Sequence, residues 1–171
     1  FRPQLYNRKV SIEKLGMGAE LLIKGLAKKA LLADNLFLIY NRLRTAGIQA
    51  SIATTLLGII IFGFALYYDV SGYADMAVGL GKMTGFSYPS DYRYPLNAVS
   101  LRDFFGKWFV SLTGWCKEYI GRLSPAGAGY ILLTCGLMGL WHGISIPMLL
   151  LACYMILFLS GECYLYGRAL E

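Results

Sequence analysis

Hydrophobic residues fill 57% of the 171 positions and charged residues only 15%, whereas a soluble domain carries roughly 25% charged residues. The formal net charge is +6, but the lysines and arginines lie beside apolar runs, as the positive-inside rule describes for membrane proteins. No basic patch alternates with exposed aromatic residues away from those runs, so no nucleic-acid partner is expected. The composition excludes an ordinary soluble domain and predicts a chain embedded in a lipid bilayer.

The N-terminal part of the chain predicts two amphipathic helices. In Gly16–Asp34, leucines and alanines recur at helical spacing, with Lys24, Lys28 and Lys29 near the middle. Because a charge at the centre of a spanning helix costs about 3 kcal/mol, we expect this helix to lie at the membrane interface, or to tilt so that its lysines snorkel. A shorter amphipathic piece, Asn35–Arg44, follows.

The first predicted spanning helix is Ile48–Tyr68, which contains no Asp, Glu, Lys or Arg and is long enough to cross the hydrocarbon. Apolar sequence resumes after it and runs to Met83. The polar stretch Asp69–Asp75 is therefore predicted to lie between the end of one helix and the start of another. Its carboxylates either face a cavity or have a structural role, capping a helix or pairing with a lysine such as Lys82.

Prolines and aromatic residues mark Gly85–Val99 as a loop, because Pro89 and Pro95 prevent a continuous helix. Ser100 and Asp103 resemble a capping box, so a helix is predicted over Leu101–Ile120. Its spacing places a set of large apolar residues on one face, which suggests an interfacial or re-entrant helix. These are Leu101, Phe105, Trp108, Leu112, Trp115 and Tyr119.

No charged residue lies between Arg122 and Glu162, and this window is long enough for two spanning helices or a broken pair. Gly143 and Pro147 supply the break. His142, the one histidine of the chain, is thus predicted to be buried in apolar sequence at the end of a helix over Gly129–Trp141.

Few chemistries fit these residues. The four cysteines lack C-x-x-C spacing and are interpreted as small buried hydrophobes, so no metal site and no bound cofactor are expected. The His142 imidazole suits proton transfer near neutral pH. The alternative is that it only hydrogen-bonds a neighbouring helix. The cysteines are Cys116, Cys135, Cys153 and Cys163.

Several ordered motifs resemble one family. They are Tyr68–Gly81, then Phe86, Pro89 and Tyr94–Pro95, then Phe104–Trp115, and finally Gly139–Gly143, with Phe1–Leu5 and Gly25–Lys29 ahead of them. Together they resemble the membrane-bound O-acyltransferase family, in its bacterial alginate O-acetyltransferase-like branch, with the teichoic acid D-alanyl transfer proteins more distant.

The resemblance implies an all-α, polytopic membrane helical bundle with interfacial or re-entrant helices. Residues 1–171 are expected to form a single membrane domain, the C-terminal-side portion of a longer multi-pass protein in the bacterial cytoplasmic membrane. The family transfers an acyl group, here expected to be acetyl from acetyl-CoA or another cytoplasmic thioester. The acceptor is a hydroxyl of a cell-surface polysaccharide or of an extracytoplasmic partner protein.

The same resemblance assigns roles to residues. His142 matches the family's invariant histidine and is expected to act as general base, with Trp141 packing against it. Asp69, Ser71, Tyr73 and Asp75 are expected to shape or polarise the substrate cavity, with Trp108 as a further supporting residue.

Two departures from the family pattern bear on function. Phe109 stands where the family usually has a second histidine, and the loop after Tyr119 differs from the family's Pro-Leu-Gly-Gly-Asn-Arg-like sequence. A catalytically silent membrane subunit that scaffolds an export or acetylation complex is therefore the alternative. A transporter is a third hypothesis, motivated by Asp69, Asp75 and His142.

Overall fold

The structure is a computed structural model that describes residues 4, 6, 8–45, 51–123 and 128–166. The described residues are mostly helical and include no β-strand, which confirms the all-α prediction for this part of the chain. They form two compact units, Phe1–Ser90 and Asp91–Glu171. A single membrane domain over residues 1–171 stays a prediction.

The first unit contains one helix that changes its winding and a second, longer helix. The helices are α1 (Ile12–Ala27), a π-helix (Lys28–Ala33), α2 (Asp34–Thr45) and α3 (Ile52–Met83). Ser11 and Ser51 cap the starts of α1 and α3, because each hydroxyl accepts a hydrogen bond from a backbone N–H three residues on, at 3.2 Å.

Glycines bring α1 and α3 into backbone contact. A Cβ added to Gly25 would lie 2.5 Å from the Gly72 carbonyl oxygen, and one added to Gly79 would lie 2.7 Å from the Gly18 carbonyl oxygen. The glycines are seven residues apart on each helix, so they share one face, and the pairing order makes the helices antiparallel. Small residues permit this approach, which favours dispersion contacts between membrane helices.

The predicted boundary at Asp69–Asp75 is wrong, because α3 runs without interruption from Ile52 to Met83. Residues 48–50 of the predicted span lie outside the described residues. The polar residues do not end the helix for two reasons. Gly72 lies in the contact with α1, and both carboxylates find cations on the π-helix.

Those cations are two of the lysines expected at the membrane interface. Lys28 Nζ lies 2.5 Å from an Asp75 oxygen. Lys29 Nζ lies 2.6 Å from Asp69 and 2.9 Å from Asp34, and hydrogen bonds to Asp69 and then Asp34 raise the pKa of Lys29. The expected pairing of the aspartates with lysines is observed, although the partners are Lys28 and Lys29 rather than Lys82.

The second unit begins within the predicted loop, which contains a short 3-10 turn at Pro95–Asn97, and its described residues then form four helices. The uncharged window after Arg122 forms two apolar helices, as predicted. Residues 142–145 separate them, and Gly143 in this segment has a φ of +111°. This left-handed backbone is accessible to glycine at little cost. The helices are α4 (Leu101–Trp108), α5 (Val110–Leu123), α6 (Ala128–Trp141) and α7 (Ile146–Tyr166).

The single helix predicted over Leu101–Ile120 is wrong, because the chain leaves helical geometry at Phe109 (φ −137°, ψ 79°). Asp91 stabilises the restart of the helix. Its carbonyl oxygen accepts the Val110 N–H at 3.0 Å, and its carboxylate accepts the Ser111 N–H at 2.7 Å. The predicted apolar face is consequently split, and on α5 the buried apolar residues are Cys116 and Ile120, while Trp115 and Tyr119 are about half exposed.

Among the residues that the structure describes, two helices are long and apolar enough to cross a membrane, namely Ile52–Met83 and Ile146–Leu165. The 32 residues of α3 extend about 48 Å at 1.5 Å per residue, more than the roughly 30 Å hydrocarbon core. Gly129–Trp141 is apolar but shorter.

The glycine contact predicts opposite effects of alanine at two glycines of the first unit. Gly25→Ala places a methyl group against the α3 backbone, where Met76 N would be 2.8 Å away, so we expect the full-length protein in detergent to lose about 1–3 kcal/mol of unfolding free energy. Gly63→Ala on α3 meets no atom within 4 Å and should gain up to about 1 kcal/mol. Equal melting temperatures for the two variants would contradict the contact.

Candidate active site

A cavity of about 330 Å³ lies among the four helices of the second unit. Each of α4, α5, α6 and α7 contributes residues to its wall, and most of that wall is apolar. An apolar wall excludes water and strengthens any electrostatic interaction inside. Apolar members include Phe105, Phe109, Leu112, Ile131, Met138 and Met148.

His142 lines this cavity at the point where α6 ends. Its backbone N–H still donates to the Met138 carbonyl at 3.2 Å, while the Gly143 N–H donates to Leu140 at 3.1 Å, which tightens the last turn. The prediction that His142 lies at the end of a helix and faces a turn is confirmed.

The predicted burial of His142 is wrong, since the residue is exposed in this chain. The reason is its place in the fold. The helix stops one residue earlier and Gly143 redirects the backbone, so the imidazole lies at the edge of the cavity wall and not inside the helix packing. A group at such an edge can meet a substrate on one side and a proton acceptor or water on the other.

Glu162 links α7 to α4, two of the helices that line the cavity. Its carboxylate accepts the backbone N–H of Leu101 at 2.9 Å and that of Arg102 at 3.4 Å, so a residue of α7 caps the first turn of α4. A carboxylate satisfies the free N–H groups of a helix start and complements the helix dipole. This explains how an acidic residue is accommodated near the end of an apolar helix.

The start of α4 carries the predicted capping box. The Ser100 hydroxyl accepts the Asp103 N–H at 3.0 Å, and the Asp103 carboxylate accepts the Val99 N–H at 3.2 Å. Asp103 also pairs with Lys107 at 2.6 Å. This hydrogen bond from Lys107 is the main cause that lowers the pKa of Asp103.

The predicted aromatic supports are not in the cavity wall. Trp108 belongs to an aromatic cluster, with its ring centroid 5.1 Å from that of Phe104 and 5.6 Å from that of Tyr92. Trp141 is 74% exposed. Among the described residues that line the cavity, neither tryptophan is found.

The four remaining predicted site residues lie in the first unit. Asp69 and Asp75 form the ion pairs described above. Ser71 is fully buried, with no hydrogen-bond partner for its hydroxyl among the described residues, whereas Tyr73 is largely exposed. Their predicted role in a substrate cavity stays a prediction.

Burial disfavours nucleophilic chemistry at Cys116, one of the cysteines that line the cavity. Cys116 is buried in the wall, and burial raises the pKa of its thiol, which disfavours the reactive thiolate. Within the described residues, no three His, Cys, Asp or Glu side chains are grouped so as to hold a metal ion.

Sequence comparison finds known proteins to which this chain is similar. The chain is 31% identical over 166 residues to the probable alginate O-acetylase of Pseudomonas syringae pv. tomato, matching 93% of this chain and 32% of that protein. It is 27% identical to the peptidoglycan O-acetyltransferase of Helicobacter pylori, over 80% of this chain and 27% of that protein. It is also 27% identical to the teichoic acid D-alanyltransferase of Bacillus subtilis, over 61% of this chain and 30% of that protein.

The chain belongs to the membrane-bound O-acyltransferase family, in its alginate O-acetylase-like branch. No family model matches it. It spans about a third of the length of the curated relatives that it matches.

The lowered pKa of Asp103 predicts a pH-dependent contribution to stability. A carboxylate whose pKa is lower in the folded state stabilises the fold above its ordinary pKa, and this stabilisation is lost as the pH falls through the folded value. Asp103→Asn should therefore lower the melting temperature at pH 7, and the difference from wild type should start to shrink near pH 3.8, the ordinary value for Asp, and vanish only below the lower folded value. A difference that persists at low pH would show that the loss is steric.

Proposed function

We propose that the full-length protein transfers an acetyl group from a cytoplasmic thioester such as acetyl-CoA to a hydroxyl group. The acceptor is a cell-surface polysaccharide or an extracytoplasmic acetyltransferase partner, reached from the bacterial cytoplasmic membrane. One observation carries the proposal: His142, in the motif that resembles the family's histidine signature, lines an apolar cavity of the second unit. Two of the curated relatives of this chain are named as an O-acetylase and an O-acetyltransferase.

In this reaction His142 acts as general base. The acceptor hydroxyl oxygen attacks the thioester carbonyl carbon while the imidazole takes the hydroxyl proton. The tetrahedral intermediate then expels the thiolate, and the proton is returned to that sulfur. An ester and a free thiol are formed, and His142 ends in its starting state. A positioned base of this kind contributes typically about 10²–10⁴-fold to the rate.

The apolar wall supports the same chemistry. A thioester is consumed unproductively if water reaches its carbonyl, and a water-excluding cavity suppresses that side reaction. The position of His142 at the edge of the wall leaves the acceptor side open, so donor and acceptor can approach the imidazole from different directions.

Replacement of His142 tests the proposal. In membranes that contain the full-length protein, labelled acetyl-CoA and a candidate polysaccharide, His142→Gln should reduce label transfer at least about 100-fold, with unchanged expression and membrane insertion. Ile144→Ala, at an exposed position two residues further on, serves as the matched control and should transfer label at the wild-type rate. Wild-type transfer by His142→Gln would refute the assignment.

Phe109 favours the second candidate, a catalytically silent membrane subunit. The residue lines the same cavity, and its ring packs against Tyr92 at 5.6 Å. A phenyl ring there can neither move a proton nor donate a hydrogen bond. If the chain is silent, wild type and His142→Gln should give equally low transfer, while both should still assemble with the same partner proteins.

A further inference from the structure

Two thiols face the same cavity from neighbouring helices. Cys116 on α5 and Cys135 on α6 are both free cysteines, and both line the cavity of the second unit. Cys116 is buried and Cys135 is half-buried. The Cys116 thiol is among the groups that act electrostatically on the Cys135 thiol, and such an influence weakens as the separation grows. The proposed acyl transfer uses neither sulfur, so this thiol pair is available for another reaction.

The short connection between the two helices places the thiol pair at one level of the cavity. α5 ends at Leu123 and α6 begins at Ala128, so four residues join them. A connection this short joins neighbouring helices that run antiparallel. Cys116 lies seven residues before the end of α5, and Cys135 lies seven residues after the start of α6. Both positions are therefore about 10 Å along their helices from the connected ends.

Facing positions at one level meet the geometric requirement of a disulfide. The axes of packed helices lie about 8–10 Å apart, and each Cα atom lies about 2.3 Å from its axis. Facing Cα atoms are then about 3–5 Å apart, which overlaps the range of about 4.4–6.8 Å that a disulfide spans. Because α5 and α6 pack against each other, a bond between the thiols requires no refolding of either helix.

We propose that Cys116 and Cys135 form a reversible disulfide across the cavity when hydrogen peroxide reaches it, and that this bond closes the cavity between its two ends. The Cys135 sulfur, the more accessible of the two, attacks a peroxide oxygen. The O–O bond breaks, and a sulfenic acid and one water form. The Cys116 sulfur then attacks the sulfenic sulfur, the S–O bond breaks and a second water leaves with the remaining thiol proton. Two thiols and one peroxide thus give one disulfide and two waters.

Burial affects the rate of formation and the stability of this bond in opposite directions. It raises the pKa of the Cys116 thiol, so the reactive thiolate is scarce and the second step is slow. A disulfide is easy to reduce when the protein stabilises the thiolates of its reduced form. Because burial destabilises the Cys116 thiolate, we expect a bond that forms slowly and persists until a strong reductant is added.

The bond would lie between His142 and the opposite end of the cavity. Cys135 lies seven residues before His142, which is about 10 Å along α6 and on the same face of the helix. Tyr130 also lines the cavity and lies on the other side of Cys135 along α6. A disulfide at this level excludes any ligand that extends from the Tyr130 end to His142. Its effect on catalysis rests on the proposed function, whereas formation of the bond does not.

Mass spectrometry tests the bond without any turnover. The full-length protein in neutral detergent is treated with hydrogen peroxide, its remaining thiols are alkylated, and it is digested without reductant. We expect two peptides joined through Cys116 and Cys135, with a combined mass lower by two hydrogen atoms, that separate when reductant is added. The proposal is overturned if Cys135 is joined to Cys163 instead or is oxidised without a partner. It is also overturned if both thiols stay free while the exposed Cys153 has reacted.

Transfer assays test the effect of the bond on the cavity. Acetyl transfer by peroxide-treated wild type should fall in proportion to the fraction of bridged molecules. A thiol reductant should restore it, which oxidation of methionine would not allow. Cys135→Ala should keep its own untreated rate in peroxide. Cys153→Ala is the matched control, because Cys153 is exposed and is not among the described residues of the cavity wall, and it should lose the same fraction as wild type.

Two results of these assays have separate meanings. Full transfer by bridged protein would overturn closure of the cavity by the thiol pair. Absence of transfer from reduced wild type would contradict the proposed function, and the peptide analysis would still decide whether the bond forms.

Discussion

The second unit depends on one hydrogen-bonded contact, between the Glu162 carboxylate on α7 and the first backbone N–H groups of α4. A helix start has backbone N–H groups without acceptors, and a carboxylate in apolar surroundings needs hydrogen-bond donors. The contact satisfies both groups and removes the free-energy cost of leaving either one unpaired. Because α4 and α7 both contribute residues to the cavity wall, this contact links two parts of that wall. The cavity wall that His142 completes at the end of α6 therefore depends in part on this contact.

The first unit satisfies its polar groups with ion pairs between helices rather than with a carboxylate at a helix start. There, polar groups in apolar sequence are matched between helices as Lys28–Asp75 and Lys29–Asp69, next to glycines that let the backbones touch. Isolated charges at membrane depth are costly, but paired ones beside a close backbone contact can fix the register of two helices. In both units a few polar contacts define how apolar helices, which otherwise pack with little specificity, are placed.

Local signals in the sequence predicted much of this architecture. Gly143 and Pro147 marked the break between α6 and α7, and Ser100 with Asp103 marked the start of α4. The errors came from tertiary partners that one sequence does not reveal. Asp69–Asp75 looked like a helix boundary because its lysine partners lie 40 and 47 residues away, and the interruption at Phe109 depends on Asp91. The sequence does contain a signal for the contact of Glu162, because a lone carboxylate at the end of an apolar run needs hydrogen-bond donors from another element.

In the reaction that we propose, the thioester reacts in the cavity of the second unit, with His142 at its edge. An experimental structure of the full-length protein bound to a non-hydrolysable acetyl thioether analogue of coenzyme A tests it most directly. We expect the acetyl carbonyl to lie beside the His142 imidazole, with room for an acceptor oxygen about 3 Å from both. Density for the analogue outside this cavity, or with the carbonyl remote from His142, would contradict it.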